Sequence, residues 1–235
     1  KNKKIWHILD DERHHLKKVL RLKETEEVEV FDGNGLDAIG TITKITASEV
    51  VVKAHSVQSH PKPNQQTHIA FGALKRSTFE TLLPYLVELG VDGIHCFLQP
   101  GTAKHRLVNR EKTASRYEKI ILSSVKQCKR PTLPKIEAWQ SLDLYLADLS
   151  SQSKNPKIIY MDPSAKVSLA QTATSKTQEF STLIIGGEKG LTSLEQETLK
   201  KYHATGCYLS KNILRSETAI IASYVLFSQI PKLLK

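Results

Sequence analysis

The sequence predicts an α/β protein in two parts. A small β-rich N-terminal domain precedes a larger domain built on a mainly parallel sheet flanked by helices. Three observations carry this reading. Short runs rich in Val, Ile and Thr crowd into residues 27–57. A stretch with two prolines and no large apolar residue, QSHPKPNQQ at 58–66, then breaks the pattern. Beyond it, strand-length apolar runs alternate with helical stretches, the order that builds a parallel sheet. The expected domains are residues 1–62 and 67–235, with 58–66 as the linker.

Residues 13–22, RHHLKKVLRL, have helical spacing. Leu16, Val19 and Leu20 share one face, and Arg13, Lys17 and Arg21 fall at i, i+4 and i+8 on another. Residues 27–31, 37–45 and 49–57 are expected strands, and Asp32-Gly33-Asn34-Gly35 supplies the turn between the first two. In the larger domain the expected buried strands are 68–74, 94–98, 157–161, 182–185 and 207–209. Phe79, Leu82, Leu83, Leu86 and Leu89 form a helical stripe closed by Gly90, and Pro84 within it predicts a kink or a late helix start. Residues 111–128 place Tyr117, Ile120, Ile121, Val125 and Cys128 on one face, with Lys112, Arg116, Lys119, Lys126 and Arg130 on much of the other. Thr192 and Glu195 have capping-box spacing. Residues 216–230 are apolar nearly all round, which predicts a buried helix stopped by Pro231.

Composition narrows the function. At 235 residues, 40% hydrophobic and 25% charged, the chain has an ordinary globular composition. No apolar run approaches the roughly 20 residues of a membrane helix, and the polar N-terminus does not read as a signal peptide. A cytoplasmic location without a membrane partner is expected. Cys96, Cys128 and Cys207 are widely spaced and odd in number. They match neither a zinc pattern nor a disulfide framework, so reduced thiols and no metal are expected. The net charge of +10 is uneven: residues 1–66 hold 11 Lys/Arg against 10 Asp/Glu, whereas 104–135 alone hold 10 against two. Such a local positive field favours a phosphate backbone over a merely solvated helix.

Two segments near the C-terminus carry the chemistry. Each reads as a strand, a polar loop and a helix start: LIIGGEKGLTSLE at 183–195 and LSKNILRSETA at 209–219. Tandem units of this kind suggest a ligand site at the strand ends of an α/β sheet. The loop Gly186-Gly187-Glu188-Lys189-Gly190 can approach a ligand closely. Its spacing is neither G-x-G-x-x-G nor that of a P-loop, and Glu188 opposes a phosphate. A neutral or cationic ligand suits it better, S-adenosylmethionine among them; a plain strand–helix turn is the alternative. In the second segment Ile213 and Leu214 suit the covering of an adenine or a methionine chain. Ser216 is the expected N-cap, with Glu217 in the first turn. Arg215 either pairs with Glu217 or Glu188, or faces a substrate.

These residues resemble the closing motifs of the RsmE family, the 16S ribosomal RNA uridine-N3 methyltransferases of the SPOUT class. That family reads IGPEGG, then LG-x-x-ILR-T-ETA. Other matches lie in the same order: His14-His15-Leu16 with HHL, Val19-Leu20-Arg21 with VLR, and Phe31-Asp32-Gly33-x-Gly35 with its hairpin. Glu88-Leu89-Gly90-Val91 matches ELGV, and Gln127-x-x-Arg130 with Pro134 matches Q-x-x-R and its proline. Departures are Gly187 and Lys189 where the family has Pro and Gly, Lys126 for Glu, Tyr85 for Lys, and Ser210 for Gly.

The resemblance implies a PUA-like β-barrel followed by a SPOUT domain whose C-terminus threads a deep trefoil knot at a homodimer interface. It implies S-adenosylmethionine as cofactor, held by three loops: Asp162 and Pro163; Ile185, Gly186, Gly187 and Gly190; and Leu209, Ser210, Ile213 and Leu214, with Thr218 beyond. It implies 16S rRNA of the small ribosomal subunit as partner. Methylation at N3 requires loss of a proton, so Arg215 is expected to stabilise negative charge on the uracil oxygens, with Glu217 or Glu188 orienting it or accepting the proton. Arg13, Lys17 and Arg21, with Arg106, Arg116, Lys119, Lys126 and Arg130, are expected to hold RNA. Rival readings are a SPOUT enzyme acting on another position or a ribose 2′-hydroxyl, and a non-catalytic RNA-binding protein.

Overall fold

A computed structural model of the chain describes residues 5–102, 111–153, 155–173 and 180–229. The chain divides into two units, Lys1–Lys62 and Pro63–Lys235.

The first unit contains β1 (Ile5–Ile8), α1 (Asp10–His14), β2 (Glu27–Phe31), β3 (Leu36–Ile45) and β4 (Val50–Ser59). They form one antiparallel sheet in the order β1-β4-β3-β2. Trp6, Val30, Ala38, Ile42, Val50 and Val52 fill its core, and Leu16 and Leu22 pack against it. Asp32 builds the expected turn, its Oδ1 accepting from the Asn34 and Leu36 amides at 2.8 and 3.0 Å. Gly33 and Gly35 supply the positive φ angles, 74° and 99°.

Two expectations for this unit need correction. The helix expected over 13–22 starts earlier, at Asp10, and from His15 to Val19 continues as a π-helical turn. That wider turn changes the phase of the side chains, leaving Val19 and Leu20 at 61% and 52% exposure while Leu16 reaches the core. The linker is shorter than 58–66. Gln58 and Ser59 pair with Asp37 and Leu36, and the next strand begins at Gln66. A backbone ladder is indifferent to the polarity of side chains that face solvent.

Among its described residues the second unit carries six strands: β5 (Gln66–Gly72), β6 (Gly93–Phe97), β7 (Lys135–Trp139), β8 (Lys157–Met161), β9 (Phe180–Ile185) and β10 (Thr205–Cys207). All pairs are parallel, in the order β10-β8-β9-β5-β6-β7. The helices are α2 (Arg76–Glu88), α3 (Glu111–Gln127), α4 (Leu142–Gln152), α5 (Leu169–Ala173), α6 (Ser193–Lys201) and α7 (Ser216–Tyr224), the last continued by a π-helical turn, Val225–Gln229. Ile69, Ala70 and Phe71 are all fully buried, as the near-continuous apolar runs of a sheet covered on both faces require.

α2 runs through Pro84, which lacks only its own bond within the helix. It ends as a Schellman motif: Gly90, at φ 85°, donates to Val87, and Val91 donates to Leu86. β7 escapes a hydrophobicity reading because KIEAW is a half-buried edge strand carrying two charges. β10 lies earlier than expected, so Leu209 falls in the loop beyond it. α7 is capped at Arg215, in extended conformation and without a side-chain cap, rather than at Ser216.

One polar cluster lies inside the unit, beneath α4. His68 Nδ1 and His95 Nε2 are 3.0 Å apart, Trp139 Nε1 donates to His95 Nδ1 at 3.3 Å, and Tyr145 and Thr182 share a hydrogen bond at 2.8 Å. His95 Nδ1 also lies 3.4 Å from Glu137 Oε2, so this nitrogen faces both the indole and a carboxylate. Burial lowers the pKa of both rings, His68 to about 3 with the neighbouring His95 as the next cause.

Candidate functional site

The loops following β5, β8, β9 and β10 leave the carboxyl ends of four strands adjacent in the sheet. They enclose a cavity of about 700 Å³. Open α/β sheets bind ligands at this end of their strands.

The β9 loop is the most tightly built. Gly190 donates to the Gly187 carbonyl at 2.9 Å and adopts φ 75°, so Glu188 and Lys189 form an exposed tip. A Cβ at Gly186 would collide with the backbone of Gly190 and Leu191. The expected capping box is present at the start of α6, where Thr192 and Glu195 bond each other's backbone amides. In the β8 loop, the Asp162 amide donates to Cys207 at 2.9 Å, while its Oδ1 accepts from the amide and hydroxyl of Ser164 at 2.8 and 2.7 Å. The Asp162 carboxylate therefore shapes its own turn. In the β10 loop, Ser210 Oγ accepts from the Asn212 amide at 3.1 Å.

All three expected loops meet at the cavity. Asp162, Pro163, Ile185, Gly186, Gly187 and Gly190 line it, as do Leu209, Ser210, Ile213 and Leu214. Thr218 is exposed and does not. Arg215, Glu217 and Glu188 also line the cavity. Neither expected pairing of Arg215 forms: among the described residues its exposed guanidinium has no hydrogen-bonding or ion-pair partner. Glu188 instead faces Lys75 Nζ at 3.9 Å.

Several lining residues lie outside the sequence reading: Lys75 and Thr78 after β5, Met161, Gln196 and Asn212. Lys75 stands immediately after the expected strand 68–74, and strand ends are where such residues are to be sought. Gln99, after β6, is a further omission. Its Oε1 accepts from the Gly187 amide at 2.9 Å, and its Nε2 donates to the Gly190 carbonyl at 2.9 Å and to Glu195 Oε2 at 2.8 Å.

The expected RNA-holding residues divide. Lys119 and Lys126 are exposed on α3. Arg116 and Arg76 both grip Glu80, at 2.6 and 2.8 Å, and these bonds, Arg76 first, hold the Glu80 carboxyl below its usual range. Two guanidiniums on one carboxylate leave a net positive, oriented pair at the surface. Arg130 turns inward, donating to the Val87 carbonyl and to Thr132 Oγ1, each at 3.2 Å. Burial lowers its pKa, and its interior position makes it a brace between α2 and the segment after α3. In the first unit, Arg13 precedes the π-helical turn, Lys17 lies within it and Arg21 follows it at φ 55°, so the expected single row is broken. Arg106 lies outside the described residues.

The second unit thus combines a parallel sheet, a ligand-sized cavity at four strand ends and a basic helix, and a small antiparallel unit precedes it. The chain belongs to the RNA methyltransferase family. The family model for the RNA methyltransferase domain matches residues 60–228, and that for the RNA methyltransferase PUA domain matches residues 8–54. The chain is 26% identical to ribosomal RNA small subunit methyltransferase E of Buchnera aphidicola, over 93% of this chain and 85% of that protein. It is 25% identical to the Bacillus subtilis protein of the same name, over 97% and 91%. The crystal structure of ribosomal RNA small subunit methyltransferase E from Neisseria gonorrhoeae, bound to S-adenosyl methionine, superposes with a TM-score of 0.80. Identity there is 21%, over 94% of this chain and 90% of that one, so this likeness establishes the fold.

Proposed function

We propose that this protein transfers the methyl group of S-adenosylmethionine to N3 of a specific uridine in the 16S rRNA of the small ribosomal subunit. The observation that carries this reading is the meeting of the Asp162, Gly186–Gly190 and Leu209–Leu214 loops at one cavity, with an unpartnered Arg215 beside them.

The residues present fit this cofactor. The β9 loop lacks a phosphate cradle and carries Glu188, whose charge complements a sulfonium. Leu209, Ile213 and Leu214 provide apolar cover for an adenine, and the glycines allow backbone groups to approach closely. Bound S-adenosylmethionine supplies an electrophilic methyl group. Arg215 stabilises the negative charge that gathers on the uracil oxygens as the N3 proton leaves. Glu217 and Glu188 are the carboxylates placed to receive that proton or to orient the guanidinium. Holding N3 in line with the methyl group supplies much of the remaining acceleration. The Arg76–Glu80–Arg116 pair and α3 engage RNA phosphates, and the uridine leaves its stack to enter the cavity.

The protein acts in the cytoplasm as a homodimer with a knotted C-terminus. α7 supports the knot: the chain leaves β10 at the sheet edge, yet α7 returns against β9, β5 and α2. No helix among the described residues is long and apolar enough to cross a membrane.

Radiolabelled S-adenosylmethionine offered with purified small and large subunits from cells lacking the modification tests the proposal. Label is expected in small-subunit rRNA alone. Absence of transfer to any rRNA would overturn the reading.

A further inference from the structure

We propose that Gln99 is a positioning residue for the cofactor loop. Its single amide clasps both ends of the Gly187–Gly190 turn and thereby fixes which backbone groups remain for the cofactor. This inference rests on the proposal that the cavity binds S-adenosylmethionine.

Three hydrogen bonds define the clasp. Oε1 accepts from Gly187, and Nε2 donates to the Gly190 carbonyl and to Glu195 Oε2. The orientation of the amide is dictated, because a flipped side chain would set an NH₂ against the Gly187 N–H and an oxygen against a carbonyl and a carboxylate. Gln99 reaches the loop from β6, across a separation of 88 residues to Gly187. Without it, the turn is closed by the Gly190–Gly187 backbone bond.

Glu195 makes the clasp part of a larger device. Its Oε2 accepts from the Thr192 amide, the Thr192 hydroxyl and Gln99, so the start of α6 and the glycine turn share one acceptor. Glu195 is 6% exposed, and its Oε1 is buried with no hydrogen-bond partner among the described residues, so the three donors on Oε2 are what offsets burial of the carboxylate. The surrounding glycines make room for the amide. A Cβ on Gly72 or on Gly187 would run into Gln99 Oε1. Gly187 therefore serves the clasp as well as the turn. The Gly187 N–H and one lone pair of the Gly190 carbonyl are committed internally, which directs the cofactor to the other faces of the loop.

The test combines Gln99→Ala, Gly187→Ala and the double variant in full-length protein. Calorimetric titration with S-adenosylmethionine and steady-state methyl transfer provide the readouts. Gln99→Ala is expected to raise Kd and KM for S-adenosylmethionine about tenfold or more, with kcat at saturation reduced less than about threefold. Gly187→Ala is expected to weaken binding strongly alone and clearly less when Gln99 is already alanine, because the collision has been removed. Gln99→Glu keeps the size and the acceptor but loses both donations of Nε2, so it should also raise Kd about tenfold or more, and it carries the test if Gln99→Ala fails to fold. Wild-type protein that does not bind S-adenosylmethionine would overturn the functional reading and this role with it. Wild-type binding with Kd and KM unchanged in Gln99→Ala and Gln99→Glu, or with strictly additive effects in the cycle, would overturn the clasp alone.

Discussion

Around the cavity, Arg215 and Glu217 present charged groups with no partner among the described residues, while beneath α4 the polar groups of His68, His95, Trp139, Tyr145 and Thr182 bond one another. Both regions sit on one parallel sheet. The polar groups of the inner cluster bond one another, which makes their burial tolerable. The cavity holds its loops with backbone and glutamine contacts, and among the described residues leaves Arg215 and Glu217 without a partner. Titratable groups in a fold are thus read by what they already hold: the two histidines are engaged with their neighbours, and the arginine is the group left for the proposed chemistry.

Substitutions that separate these roles sharpen the contrast. The largest effect is expected at Arg215. Arg215→Ala should lower kcat by about 10²–10³-fold, as loss of one charge-stabilising donor does, with thermal stability and S-adenosylmethionine affinity near those of wild type. Methyl transfer to small subunits measures this, and near-normal turnover would remove Arg215 from the chemistry.

The inner cluster should respond to acid instead. The His68 pKa of about 3 in the folded protein lies below its value of 6.5 in the unfolded chain. The stability that this gives is present above pH 6.5 and is lost as pH falls toward 3. By linkage, going from pH 7 to pH 5 should remove about 2 kcal/mol through this one group. Urea unfolding at the two pH values reads the loss, and His68→Gln should flatten the dependence. An equally steep profile in that variant would assign it to other groups.

Thr192→Ala, which removes one half of the capping box, should cost about 1 kcal/mol of stability; a Tm unchanged within a degree would contradict it. The smallest effect is expected on the basic surface. Charge reversal of Lys119 should weaken RNA binding a few-fold and reduce the salt slope by about one. An unchanged slope would remove this face of α3 from the interface.

The legibility of the sequence followed the same division. Buried strands with continuous apolar runs, such as β8 and β9, stood out, and so did the capping box, because local pattern determines both. β7 and α4 did not: KIEAW and LDLYLADLSSQ take their partners from distant segments and carry charge on exposed positions. Of the site, the loops bearing Asp162, Gly186 and Leu214 were legible through glycine spacing and family resemblance. Gln99 and Lys75 were not, since a lone polar residue after a strand acquires meaning only when folding brings it to a loop 88 residues away, as for Gln99 and Gly187, or opposite Glu188. The π-helical turn at His15–Val19 likewise left no mark in a sequence with good α-helical spacing.

Nucleoside mass spectrometry of 16S rRNA, taken from small subunits treated with this protein and S-adenosylmethionine, tests the central claim most directly. The expected product is N3-methyluridine at a single position, formed by wild-type protein and nearly absent with Arg215→Ala. A 2′-O-methylated nucleoside, or no new methylated nucleoside at all, would contradict the assignment.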